Sequence, residues 1–113
     1  MMKIYHNPRC SKSRQTLKII QDANVDVEII EYLTNIPTEK ELEEVLKKLG
    51  MNAEDLLRKG EADYKENFKG KSLSEKEWIK AMIKYPKLIE RPIVVKDNKA
   101  ILGRPPENVK ELW

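Results

Sequence analysis

The residue types best suited to chemistry lie together near the start of the chain, in His6-Asn7-Pro8-Arg9-Cys10-Ser11-Lys12-Ser13-Arg14. Cys10 is the only cysteine and His6 the only histidine among 113 residues. The thiolate is the nucleophilic form of cysteine, so the question is whether the surroundings favour negative charge. Arg9, Lys12 and Arg14 all lie within four residues of the thiol and do favour it. His6 offers either a hydrogen-bond donor or a further positive charge. A helix opening at this point adds free backbone N–H groups and the positive end of its dipole. Donors that hold a thiolate also hold a tetrahedral oxyanion. The segment therefore reads as a nucleophile inside an anion cradle. An isolated cysteine is more often a small buried hydrophobe, and it is position that sets this one apart.

The flanking pattern supplies the elements that such a site needs. Lys3-Ile4-Tyr5 reads as a first strand, halted by Pro8. Ser11 or Ser13 can cap a helix running to about Ala23, with Leu17 and Ile20 inward. Val25, Val27, Ile29 and Ile30 form a second, β-branched strand, parallel to the first because a helix intervenes. A helical block follows at about 38–86. Thr38 with Glu41, and Ser74 with Glu77, have capping-box spacing. Leu42, Val45, Leu46 and Leu49 recur at helical spacing before Gly50, and Trp78, Ile79, Met82 and Ile83 do so before Pro86. Shorter helices fill the stretch from Asp55 to Phe68. Pro92-Ile93-Val94-Val95 and Ala100-Ile101-Leu102 then read as a hairpin around Asp97-Asn98-Lys99, and a last helix opens at Pro105-Pro106-Glu107. The sum is an α/β fold, βαβ then ββα, in a single domain over residues 1–113, with a helical insertion between the second and third strands.

Composition narrows the function. Lys and Arg number 22 against 19 Asp and Glu, a net +3, and the two signs are interspersed. A nucleic-acid footprint needs basic residues gathered on one face, so nucleic acid is not an expected partner. No apolar run approaches the ~18–20 residues of a membrane span, and the N-terminus lacks a signal peptide's apolar stretch. One cysteine closes no internal disulfide, and one Cys with one His builds no zinc site. The expected setting is cytoplasmic, with a reduced thiol and neither metal nor bound cofactor.

The segment from His6 to Arg14, continued by Gln15-Thr16-Leu17, resembles the active-site segment of the ArsC-type, glutaredoxin-dependent arsenate reductases. Leu56-Leu57-Arg58-Lys59, Arg91-Pro92-Ile93-Val94-Val95 and Leu102-Gly103-Arg104-Pro105 resemble further segments of the same family, in its order. The Arg-Cys-Ser-Lys-Ser version at 9–13 is similar to one branch of that family; the better-known reductases carry a small residue before the cysteine and Gly-Thr after it.

The resemblance implies a thioredoxin-like fold, with Cys10 as nucleophile and Arg58, Arg91 and Arg104 as oxyanion-binding arginines. It implies that His6 lowers the pKa of Cys10, that Ser13 and Arg14 belong to the substrate-binding helix start, and that the peptide bond before Pro92 is cis. It also implies arsenate as substrate, glutathione as co-substrate and glutaredoxin as partner. Arginine's planar fork of donors suits a tetrahedral oxyanion at any working pH. Two alternatives stay open. One is a glutathione- or glutaredoxin-linked thiol oxidoreductase of another substrate. The other is an Spx-like regulator that binds RNA polymerase, although Ser13 stands where its redox switch would need a second cysteine.

Overall fold

In the computed structural model, which describes Met2–Trp113, the first strand β1 (Met2–Tyr5) lies inside a four-stranded sheet. It is followed by α1 (Ser11–Asp22), β2 (Val27–Ile30), α2 (Glu39–Leu49), α3 (Ala62–Asn67), α4 (Glu75–Lys84), β3 (Ile93–Lys96) and β4 (Lys99–Leu102), with short 3-10 turns between and after them. The order across the sheet is β2-β1-β3-β4. β1 pairs parallel with β2, placing Ile4 opposite Ile29, and antiparallel with β3, placing Ile4 opposite Val94. The β3–β4 hairpin closes on Lys96 opposite Lys99, with Asp97 at φ 55 in the left-handed region that Asp tolerates. Lys99, read as part of the gap, is the first residue of β4.

The chain divides into two compact units, one comprising the residues up to Asn35 with Arg91–Trp113, the other Ile36–Glu90. In the first, Met2, Ile4, Ile20, Val94, Val109 and Leu112 form a buried cluster, with Leu17, Ile19, Val25, Val27 and Ile101 packed against it. Burying each of Ile4, Ile20, Val94 and Val109 contributes about 1.5–3 kcal/mol. The last helix is a 3-10 helix, Pro106–Leu112, rather than an α-helix. Its buried residues are Pro106, Val109 and Leu112, a spacing of three that matches the three residues per turn of that helix.

In the second unit both capping boxes close. Thr38 Oγ1 accepts from the Glu41 N–H, and Ser74 Oγ from the Glu77 N–H, while each glutamate accepts from the backbone of its cap. Gly50, at φ 69, ends α2 in a conformation that costs a glycine little. Leu42, Val45 and Leu46 of α2 and Trp78, Ile79 and Met82 of α4 are buried, as their spacing predicts; Leu49 and Ile83 of the same stripes are only partly buried, and Ala81 is buried in addition. The stretch from Asp55 to Phe68 resolves into a 3-10 turn, Ala53–Leu56, and α3. Leu57 then forms an antiparallel bridge with Ile89, flanked by bonds from Arg58 N–H to Leu88 O and Glu90 N–H to Leu56 O. Arg58 accordingly follows a bridge rather than lying in a helix.

Candidate active site

Cys10 occupies the N-cap of α1, in extended conformation (φ −93, ψ 123), so no serine caps this helix. The reason is visible at Ser13, whose hydroxyl turns away from the helix end. It lies 2.6 Å from His6 Nδ1 and accepts from the Asn7 N–H at 3.0 Å, and Ser13 is fully buried. The loop between β1 and α1 is braced at several further points. Asn7 Oδ1 accepts from Arg9 N–H, Cys10 N–H donates to Asn7 O, and Arg14 Nη1 donates to Pro8 O, each at 3.0 Å. His6 N–H continues the β1–β2 pairing by donating to Ile30 O.

Cys10 is buried, with 8% of the residue exposed. Its pKa is nonetheless held below the ordinary thiol value. Burial is the largest influence and works in the opposite direction. It is overcome by the Ser13 N–H, the Arg91 guanidinium, the Lys12 N–H and the Arg104 guanidinium together. The sulfur closes no capping hydrogen bond of full geometry, so these donors favour its charged form more than they fix it. Arg9 and Arg14 are absent from this set, and Lys12 contributes through its backbone rather than its ammonium. The cations nearest in sequence are not the ones that lower the thiol pKa. The effective ones arrive from the far end of the chain.

Of the two options read for His6, the positive charge is disfavoured, while its ring is hydrogen-bonded to Ser13. His6 is buried, and burial pushes its pKa below the usual histidine value; Glu31 opposes this and Arg14 reinforces it. The neutral ring is engaged by Ser13, whose backbone N–H faces the sulfur. Ser13 likewise meets the site through its N–H and not its hydroxyl.

Arg91 and Arg104 come together, with Arg104 Nη1 donating to Arg91 O at 3.4 Å. Each precedes a cis proline, Pro92 as the resemblance implied and Pro105 in addition. Gly103 fills the space beside them: a Cβ there would lie 2.5 Å from Thr16 Oγ1, 2.8 Å from Pro92 Cγ and 2.9 Å from Thr16 Cγ2. Arg58 lies in the second unit, where its Nη1 pairs with Glu61 at 3.3 Å and donates to Lys87 O at 3.4 Å. Thr16 and Gly103 were named in the family-like segments with no role assigned. A threonine in mid-helix, able to bond the carbonyl four residues back, was the available signal. Among the described residues, no group of three or more His, Cys, Asp and Glu is placed to hold a metal ion, and no helix is long and apolar enough to cross a membrane.

A mixed sheet in the order β2-β1-β3-β4, with a cysteine where α1 follows β1, defines a thioredoxin-like thiol protein. More specifically, the chain belongs to the ArsC family, whose model matches residues 5–112. It is 51% identical over 113 residues to the Escherichia coli protein YfgD, a match covering 98% of this chain and 95% of that one. It is 41% identical over 111 residues to an arsenate reductase of Haemophilus influenzae, covering 96% of each. The structure is similar to that of an arsenate reductase from Vibrio cholerae, with TM-score 0.95 and 44% identity over 99% of this chain and 97% of the other.

Proposed function

We propose that the chain is an arsenate reductase-type thiol oxidoreductase in which the Cys10 thiolate attacks an oxyanion held by arginines. The observation that carries this reading is the convergence of Arg91, Arg104 and the α1 N–H groups on one buried thiol. The relatives named arsenate reductase support arsenate as the oxyanion. Arg91 and Arg104 offset its charge as the thiolate approaches, Ser13 serves through its N–H, and Arg14 adds positive charge at the helix start. The resemblance of its segment extends the oxyanion-binding role to Arg58, on that ground alone.

Cys10 forms a sulfur–arsenic bond and water leaves arsenic, whose oxygen takes up the protons. A glutathione thiolate then attacks the Cys10 sulfur; a disulfide forms as the sulfur–arsenic bond breaks. The bonding pair goes to arsenic, which leaves as trivalent arsenite. Two thiols have each given one electron. With no second cysteine in the chain, the Cys10–glutathione disulfide is reopened from outside, by a glutaredoxin thiolate that removes the glutathione. The reducing cytosol suits this cycle, since it maintains Cys10 as a thiol.

The test is a coupled assay with arsenate, glutathione, glutaredoxin, glutathione reductase and NADPH, with Cys10→Ser as control. Arsenate-dependent NADPH oxidation that disappears in the variant is the expected result. Folded protein with a titratable Cys10 and no arsenate-dependent rate would transfer the reading to a thiol oxidoreductase of another substrate. That second reading draws on Arg9 and Lys12, exposed beside the thiol where the better-known reductases have smaller residues.

A further inference from the structure

Thr16 lies one turn into α1, is fully buried, and has no role of its own in the proposed reaction. Its hydroxyl nevertheless joins the two parts of the chain that the thiol depends on. Oγ1 donates its one proton toward two carbonyls, Lys12 O at 2.8 Å and Gly103 O at 3.3 Å. Lys12 is a residue whose N–H favours the thiolate, and Gly103 immediately precedes Arg104. Gly103 N–H in turn donates to Pro92 O at 2.9 Å, next to Arg91. The contact is close as well as polar, since a single added carbon on Gly103 would meet both Oγ1 and Cγ2 of Thr16 below 3 Å. The backbone just after β4 therefore lies close against α1, with a threonine on one side and a bare glycine on the other.

We infer that Thr16 is a positioning residue, whose hydroxyl clamps the first turn of α1 to the Gly103–Arg104 arm and so sets the placement of the donors around Cys10. This rests on the reading of Cys10 as a nucleophile, but its test needs no arsenate. The pH dependence of Cys10 alkylation by iodoacetamide measures the fraction of thiolate, whatever the substrate is. Thr16→Val keeps the shape and removes the hydroxyl; Thr16→Ala removes the hydroxyl and relieves the β-branch; Thr16→Ser keeps the hydroxyl.

The expected result is an alkylation midpoint raised by about half a unit or more in Thr16→Val and Thr16→Ala, and restored to the wild-type value in Thr16→Ser. Midpoints within about 0.2 unit of wild type in a folded Thr16→Val or Thr16→Ala protein would overturn the inference. So would loss of the folded state in Thr16→Ala, because Thr16 would then hold the fold and not the site. An equal rise in Thr16→Ser would also overturn it, since packing of the methyl group would be the cause. Failure of the arsenate assay alone, with the midpoints moving as stated, leaves the clamp standing and removes only the substrate.

Discussion

His6 Nδ1 and Ser13 Oγ lie 2.6 Å apart, and both residues are buried. The strand end carrying His6 is thus tied to the first turn of the helix that carries the thiol donors. Because the Ser13 oxygen also accepts from Asn7 N–H, the histidine, the loop and the helix share one buried hydrogen-bonded group. A network of this kind is costly to break in part, since it leaves a polar atom buried without its partner.

This tie gives stability a pH dependence of definite sign. His6 titrates below its ordinary value of 6.5 in the folded chain. The unfolded chain therefore takes up a proton first as pH falls, and folded stability drops from about pH 6.5 down to the folded pKa. Comparing wild type with His6→Gln by urea denaturation from pH 8 to 5 isolates that contribution. Wild type is expected to lose stability relative to the variant across this window; a constant difference at every pH would refute it.

The two arginines make unequal contributions to the thiol, with Arg91 the stronger. Arg91→Gln is expected to raise the alkylation midpoint of Cys10 by on the order of one unit, and Arg104→Gln by less. Since Arg104 is exposed, salt will diminish its share first. The same lowered pKa means that thiolate formation stabilises the fold fully above the ordinary thiol value of 9.0 and that this is lost as pH falls through the folded pKa.

Cys10→Ser removes the nucleophile, yet it places a preferred capping residue at the N-cap of α1, facing the N–H groups of Lys12 and Ser13. The variant is expected to be at least as stable as wild type in thermal unfolding while showing no turnover. A clear loss of stability would mean that the sulfur is a packing element after all.

Glycine replacements separate crowding from conformation. Gly103→Ala drives a carbon into Thr16 and Pro92 and is expected to cost about 1–3 kcal/mol. Gly60→Ala meets nothing within 4 Å and has no positive φ, so it should be neutral or stabilising by up to ~1 kcal/mol. Equal effects in urea unfolding would show that Gly103 is not tightly packed.

Local rules explain which parts of this architecture were legible in the sequence. Thr38 with Glu41, Ser74 with Glu77, and Gly50 mark helix ends because a cap is a contact across three or four residues. The place of Cys10 at a helix start was legible for the same reason: a strand and a proline stand before it. The identity of its electrostatic partners was not, because Arg91 reaches it only through the pairing of β1 with β3. Nor was the diversion of the Ser13 hydroxyl to His6, which left the cap of α1 to the cysteine. The final 3-10 helix escaped because Pro106, Val109 and Leu112 fit an α-helical stripe almost as well as a three-residue period.

The pairing of Met2 with Lys96 has a consequence for the chain while it is still being made. Cys10 precedes Arg91 and Arg104 in the chain and is synthesised before either. Until they are synthesised and β3 lies beside β1, the nascent thiol lacks both guanidiniums that favour its charged form. A chain cut short before β3 therefore carries Cys10 without the two guanidiniums that lower its pKa in the finished fold.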